Sequence, residues 1–280
     1  MFIIDNLSKT YKNNVTAVSG FQIKIEKNQI VAIAGPNGSG KTSIINSILG
    51  IITPTEGTIL LDDLPNTTAE FKQKLAYVPD ELLLPDALSA AEYLDFVSSM
   101  YNCTSNEKRR QLIELFDMKE ALQEPIETYS HGMKKKTQLI AAFMLESEFV
   151  IMDEPFRGLD IEAVINTKKL MKRYAASQGS ILLATHDMLS AEELCDKIAI
   201  ISKGVKMDEG NGQALKYRHQ KNDRRPFFNF GGSDGEHHWL QLYGNVFKRF
   251  SEWRNSLTRV VRDFNVHERL DFYVCFLHFI

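Results

Sequence analysis

Gly35-Pro36-Asn37-Gly38-Ser39-Gly40-Lys41-Thr42 stands between the apolar run Gln29-Ile-Val-Ala-Ile-Ala34 and the helix-patterned Ser43-Ile-Ile-Asn-Ser-Ile-Leu49. Strand, glycine-rich loop and helix in this order make a P-loop. Its glycines let the backbone wrap closely around a polyphosphate, so that loop N–H groups and the N-terminus of the following helix face negative charge. Lys41 then reaches the β- and γ-phosphates, Thr42 places its hydroxyl on Mg²⁺, and Ser43 completes the nucleotide-binding set. An ordinary glycine-rich turn before a helix does not need all eight positions to match in this context. The chain is expected to bind a nucleoside triphosphate.

Four further segments narrow the kind of enzyme. Phe149-Val-Ile-Met-Asp153-Glu154-Pro155 is a short apolar strand ending in two acids. A strand that apolar is buried, and acids at its carboxyl end lie where open α/β sheets bind ligands. Asp153 is expected to hold Mg²⁺ and Glu154 to polarise the attacking water. Tyr129-Ser130-His131-Gly132-Met133 precedes a helical pattern about twenty residues before that strand, making a second corner for an anion. Alone, such a segment reads equally as a helix cap. Gly158-Leu159-Asp160 follows the acids, and Ser180-Ile-Leu-Leu-Ala-Thr185-His186-Asp187 is another buried strand ending in a histidine. A lone histidine there reads as readily as a structural residue.

In this order the motifs resemble an ATP-binding cassette, the nucleotide-binding subunit of ABC transporters, over about residues 1–215. The resemblance implies ATP and Mg²⁺ as cofactors and two ATP molecules closing a head-to-tail dimer. Carried over by position, Lys41, Thr42, Asp153, Glu154 and His186 serve the ATP of their own subunit. The signature residues Ser130, His131, Gly132 and Met133 serve the opposite one. Asp160 matches the D-loop aspartate at the dimer contact, and Tyr11 matches the aromatic that stacks on adenine; a plain strand-edge tyrosine is the other reading of Tyr11. Two departures stand out. Asp80 takes the place of the family's usual glutamine after Tyr77-Val78-Pro79, and it still offers oxygen to a hard cation while adding negative charge beside ATP. His131 and Met133 replace smaller or polar signature residues. Both variants are similar to those of bacterial exporters of the ABC-2 type.

Composition fits a soluble enzyme. The 280 residues are 44% hydrophobic and 25% charged, and a net charge of -3 argues against an intrinsic nucleic-acid binder. No signal peptide is expected from the first residues, and no apolar run comes near the roughly twenty residues a membrane span needs. Cys103, Cys195 and Cys275 are scattered without metal spacing, as expected of reduced thiols.

The expected fold is α/β: a P-loop NTPase core of mostly parallel sheet, an N-terminal antiparallel β-subdomain, and an inserted helical subdomain at about 83–145 carrying the signature, all within residues 1–215. Residues 216–280 differ. A basic, turn-rich stretch leads to Trp239, Leu242, Tyr243, Val246, Phe247, Phe250, Trp253 and Leu257 at helical spacing among Lys248, Arg249, Arg254 and Arg259. This reads as a C-terminal helical extension on the cassette, as an aromatic and basic arm toward a permease or bilayer, or as a non-native terminus.

The expected activity is ATP hydrolysis that energises translocation, most readily export, through a separate integral membrane permease, with the chain peripheral on the cytoplasmic face. A soluble non-transport ATPase of the same type, or a slow ATP-gated regulatory module, is the alternative. The first would usually bring tandem cassettes or a basic surface, and the second would have lost Glu154 or His186.

Overall fold

The computed structural model describes residues 1–103 and 105–215; the aromatic and basic extension expected at 216–280 lies outside the described residues. In chain order the elements are β1 (Phe2–Thr10), β2 (Thr16–Ile25), β3 (Ile30–Ala34), α1 (Lys41–Ile48), β4 (Glu56–Leu61), β5 (Leu64–Pro65), α2 (Ala69–Gln73) and β6 (Leu75–Val78). There follow α3 (Ala90–Met100), α4 (Asn106–Leu115), α5 (His131–Met144), β7 (Phe149–Asp153), α6 (Ile161–Ser177), β8 (Ser180–Thr185), α7 (Met188–Leu194), β9 (Lys197–Ser202) and β10 (Val205–Gly210).

Two sheets form. One is antiparallel, in the order β2-β1-β4-β5, and the other runs β10-β9-β3-β8-β7-β6. In the second, β9, β3, β8, β7 and β6 are mutually parallel and β10 closes the edge antiparallel. Every residue of β3, β7 and β8 is buried, which explains their unbroken apolar runs: a parallel sheet covered on both faces leaves no solvent side for polar residues.

Alternation along the strands assigns each face to its own core. Ile30, Ala32, Val150, Met152, Ile181 and Leu183 turn toward the packed side chains of α3, α4, α5 and α6. Val31, Ile33, Phe149, Ile151 and Leu182 turn toward α1 and the antiparallel sheet, with Phe2, Ile4, Phe21 and Ile44. Phe2 stacks on Phe149 with centroids 4.4 Å apart, joining the two sheets through one aromatic pair. The helices α3, α4 and α5 fall inside the interval 83–145. Ser89 starts α3 with a reciprocal capping box to Glu92, two orphan helix donors being satisfied by one Ser–Glu pair.

Because strands run parallel, their carboxyl ends share one edge. Four consecutive strands there deliver the singled-out residues in the spatial order β3, β8, β7, β6: the loop from Gly35, then Thr185 and His186, then Asp153 and Glu154, then Pro79 and Asp80. Residues far apart in the chain thereby become neighbours. No helix among the described residues is long and apolar enough to cross a membrane.

Candidate functional site

Gly40 caps α1 at φ 109, with no side chain closing the helix and no acid in its first turn. A Cβ there would sit 2.6 Å from the carbonyl oxygen of Ala17, so both the backbone conformation and the close approach of β2 require glycine. The first N–H groups of α1 are left without side-chain acceptors, a ready site for an anion. Lys41 is buried and folds back, its Nζ donating to the carbonyls of Gly35 at 2.7 Å and Pro36 at 3.1 Å. Burial lowers its pKa, opposed by the charges of Glu154, Asp153 and Asp80. A polyphosphate would give that ammonium a better partner than two neutral carbonyls. Ser39 Oγ is buried without a hydrogen-bond partner, and Thr42 is exposed.

Tyr11 lies at the rim of this loop, half-exposed, its hydroxyl 3.2 Å from Ser43 Oγ and its ring 5.3 Å from Lys9 Nζ. Its open ring is available for stacking.

Asp153 ends β7 with a buried carboxyl whose pKa is raised to about 7 by desolvation first, then by the charges of Glu154 and Asp80. Asp80 carries a buried Oδ1 with no hydrogen-bond partner, while its Oδ2 pairs with Arg157 Nη1 at 2.9 Å. A desolvated carboxyl beside the charges of Glu154 and Asp80, together with an orphaned carboxylate oxygen, fits a hard divalent cation. Mg²⁺ takes only one or two carboxylates and completes its shell with water and substrate phosphates, a demand that Asp153 and Asp80 can meet.

Glu154 adopts a left-handed backbone, φ 44, held by its N–H donating to Ala184 O at 3.0 Å. This turns its carboxylate onto the end of β8. Oε1 accepts from the His186 backbone N–H at 2.9 Å and from His186 Nδ1 at 2.7 Å; Oε2 accepts from Thr185 Oγ1 at 3.0 Å. Glu154 and His186, predicted from separate motifs, are therefore directly bonded. The Nδ1–H···O bond leaves Nε2 as the outward nitrogen of a side chain 58% exposed.

The signature segment does cap a helix: Ser130 Oγ accepts from Met133 N–H at 3.2 Å at the start of α5. It also packs on the segment after the acids. His131 lies over Gly158, where a Cβ would come within 2.0 Å of Nδ1, and Lys136 Nζ pairs with Asp160 Oδ2 at 2.9 Å. Asp160 in turn caps α6, Oδ1 accepting from Ala163 N–H at 2.7 Å, and that bond and then Lys136 hold its pKa low. Ile161, next to Asp160 in the chain, is 82% exposed, and Leu189, three residues after His186, is 77% exposed.

Three contributors escape motif reading. Thr185 accepts from Asp187 N–H at 3.0 Å while donating to Glu154; only its place before His186 hinted at it. Arg157 reaches Asp80 across the fold. Lys135, fully buried, donates to Pro79 O and Asp80 O, and burial pushes its pKa down to about 8. Its spacing to Leu139 and Ala142 on the apolar face of α5 is the one sequence sign of that burial.

The comparisons with known proteins agree with this geometry. The family described as ABC transporter matches residues 18–157, half of the chain. The linearmycin resistance ATP-binding protein LnrL of Bacillus subtilis is 32% identical over 209 residues, covering 73% of this chain and 67% of that protein. The uncharacterized ABC transporter ATP-binding protein YhaQ of the same organism is 31% identical over 219 residues, covering 77% and 73%. Among solved structures, an ATP-binding subunit of an ABC transporter superposes with a TM-score of 0.75 at 27% identity, over 80% of this chain and 95% of that one. The cassette MJ0796, solved as a dimer with ADP and Pi, shares the fold at a TM-score of 0.66 and 23% identity, over 75% and 98%. The chain thus belongs to the ABC transporter family, as an ATP-binding and ATP-hydrolysing cassette subunit.

Proposed function

We propose that this cassette drives export through a separate integral membrane permease, from the cytoplasmic face of the membrane, with ATP bound between two copies or paired cassettes. The observation that carries the catalytic part is the Glu154–His186 bond at 2.7 Å on the edge shared with the phosphate loop. The resistance role in the name of LnrL supports the outward direction. Exposed Ile161 and Leu189 beside Asp160 and His186 support the paired state, since large apolar side chains flanking a polar site favour a covering partner.

In the mechanism, Tyr11 stacks on the base, and residues Gly35 to Ser43 wrap the phosphates with loop N–H groups and the N-terminus of α1. Lys41 leaves the carbonyls of Gly35 and Pro36 for the β- and γ-phosphates. Thr42, Asp153 and Asp80 are the oxygens that would hold Mg²⁺, which when bound neutralises the charge developing on the phosphates. Glu154 orients water in line and accepts its proton; the water oxygen bonds to the γ-phosphorus as the bond to the bridging oxygen breaks, and ADP leaves with that electron pair. His186 holds Glu154 and turns Nε2 toward the γ-phosphate. Ser130, His131, Gly132 and Met133 meet the ATP of the other cassette, with Asp160 at the contact.

The test is affinity purification of the full chain from detergent-solubilised membranes, with ATPase assay of the product. Recovery of a multi-span protein with ATP turnover is expected. Recovery of soluble partners only, with the chain absent from membranes, would overturn the transport reading.

A further inference from the structure

The turn that carries Asp80 is gripped from α5. Lys135 Nζ donates to the carbonyl of Pro79 at 2.6 Å and to that of Asp80 at 3.3 Å. One turn further along the helix, Gln138 Nε2 donates to Glu81 O at 2.8 Å. Three consecutive backbone carbonyls are thus held by two side chains of one helix, both buried. From the other side Arg157 takes Oδ2 of Asp80, and Oδ1 remains buried and unpartnered.

Burying an ammonium costs several kcal/mol, and an apolar side chain of similar length would fill the same space more cheaply. A lysine whose donors are placed on the backbone of one turn is therefore poorly explained by cohesion alone. What it does achieve is geometric: the peptides on both sides of Asp80 are fixed, and with Arg157 on one oxygen only Oδ1 is left to meet a ligand. Asp80 is near enough to Asp153 and Lys41 for its charge to act on both. We infer that Lys135, seconded by Gln138, is a positioning residue for the metal–nucleotide, fixing the turn at 79–81 so that the free oxygen of Asp80 is presented to the cation. This rests on the reading of Asp80 as a metal-side oxygen. Because α5 begins at Ser130, the same grip ties that oxygen to the signature segment.

The test measures, on the full chain by calorimetry, how Mg²⁺ tightens binding of a non-hydrolysable ATP analogue, in wild type, Lys135→Met, Gln138→Met and Asp80→Asn. Lys135→Met is expected to raise the Mg²⁺ concentration for half-maximal tightening about tenfold, the low end for losing a group that supports a metal ligand, with affinity in EDTA unchanged. Gln138→Met, which removes no charge, shifts it less in the same direction. Amide exchange at residues 80–82 without nucleotide speeds up in both. Should Asp80→Asn shift the Mg²⁺ dependence while neither α5 variant does, the positioning role is overturned. An unchanged dependence in Asp80→Asn overturns instead the reading beneath it. Equal loss of affinity with and without Mg²⁺ in Lys135→Met makes the lysine a structural residue only, which also overturns the inference. If Lys135→Met does not fold, an unshifted Gln138→Met decides against it.

Discussion

His186 holds one carboxylate oxygen of Glu154 twice, through its backbone N–H at 2.9 Å and through Nδ1 at 2.7 Å. The catalytic acid and the strand-end histidine are one hydrogen-bonded unit before any substrate arrives. A glutamine at 154 keeps the size of the side chain and removes the proton acceptor. Glu154→Gln is expected to bind ATP with near wild-type affinity and to lose about a hundredfold or more in turnover. Steady-state hydrolysis alongside equilibrium ATP binding checks this, and a near wild-type rate would remove Glu154 from the base role.

Thr185 is the third member of that unit, donating to Glu154 and accepting from Asp187 N–H. Valine matches its shape but offers neither group. Thr185→Val should cost about 1 kcal/mol for the hydrogen bonds lost, and should lower kcat more than KM, since Glu154 Oε2 loses its bond to Thr185. Chemical denaturation and steady-state kinetics on the same preparation separate the two effects.

Asp153 predicts a pH dependence. Folding raises its pKa to about 7, so the folded chain binds this proton more tightly than the unfolded one. The stability it contributes is full below the unfolded value and is lost as pH rises through about 7. Asp153→Asn, which cannot ionise, should therefore raise the Tm of the nucleotide-free chain by an amount that grows from about pH 4 to about pH 7 and then levels off. With Mg²⁺ and ATP the order should reverse, wild type gaining more than the variant. A pH-independent difference between the two would show that another group sets the profile.

At Gly158, φ is +75 and a Cβ would lie 2.0 Å from His131 Nδ1. Gly158→Ala should destabilise through both the backbone and the clash. His131→Ala in the same chain should recover the clash but not the backbone part, about 1 kcal/mol. A double-mutant cycle on thermal unfolding reads the coupling, and strict additivity would place His131 elsewhere.

Much of the fold was legible because its signals are local. The loop from Gly35 to Thr42 sits between a strand and a helix that flank it in sequence, and the runs at Phe149 and Ser180 are apolar because both faces of β7 and β8 are covered. The antiparallel β-subdomain expected toward the N-terminus appears as the sheet of β1, β2, β4 and β5. What stayed hidden is long-range. Parallel neighbours share no turn, so the insertion of β8 between β3 and β7 has no sequence mark. Lys134, Lys135 and Lys136 read alike, yet they meet Asp86, the carbonyls of Pro79 and Asp80, and Asp160 respectively, because successive helical residues point about 100° apart. Asp80 and Arg157 are 77 residues apart, and their pairing follows only from β6 and β7 lying side by side.

Glu154 holds its left-handed backbone as a residue with a Cβ, a conformation that glycine takes without steric cost. That backbone cost, about 1 kcal/mol, is set against the three hydrogen bonds that the carboxylate accepts from Thr185 and His186. Truncation at 154 would therefore loosen the end of β8 as well as remove the base, so a glycine or alanine there confounds a missing proton acceptor with a displaced strand end, and only the isosteric amide tells the two apart.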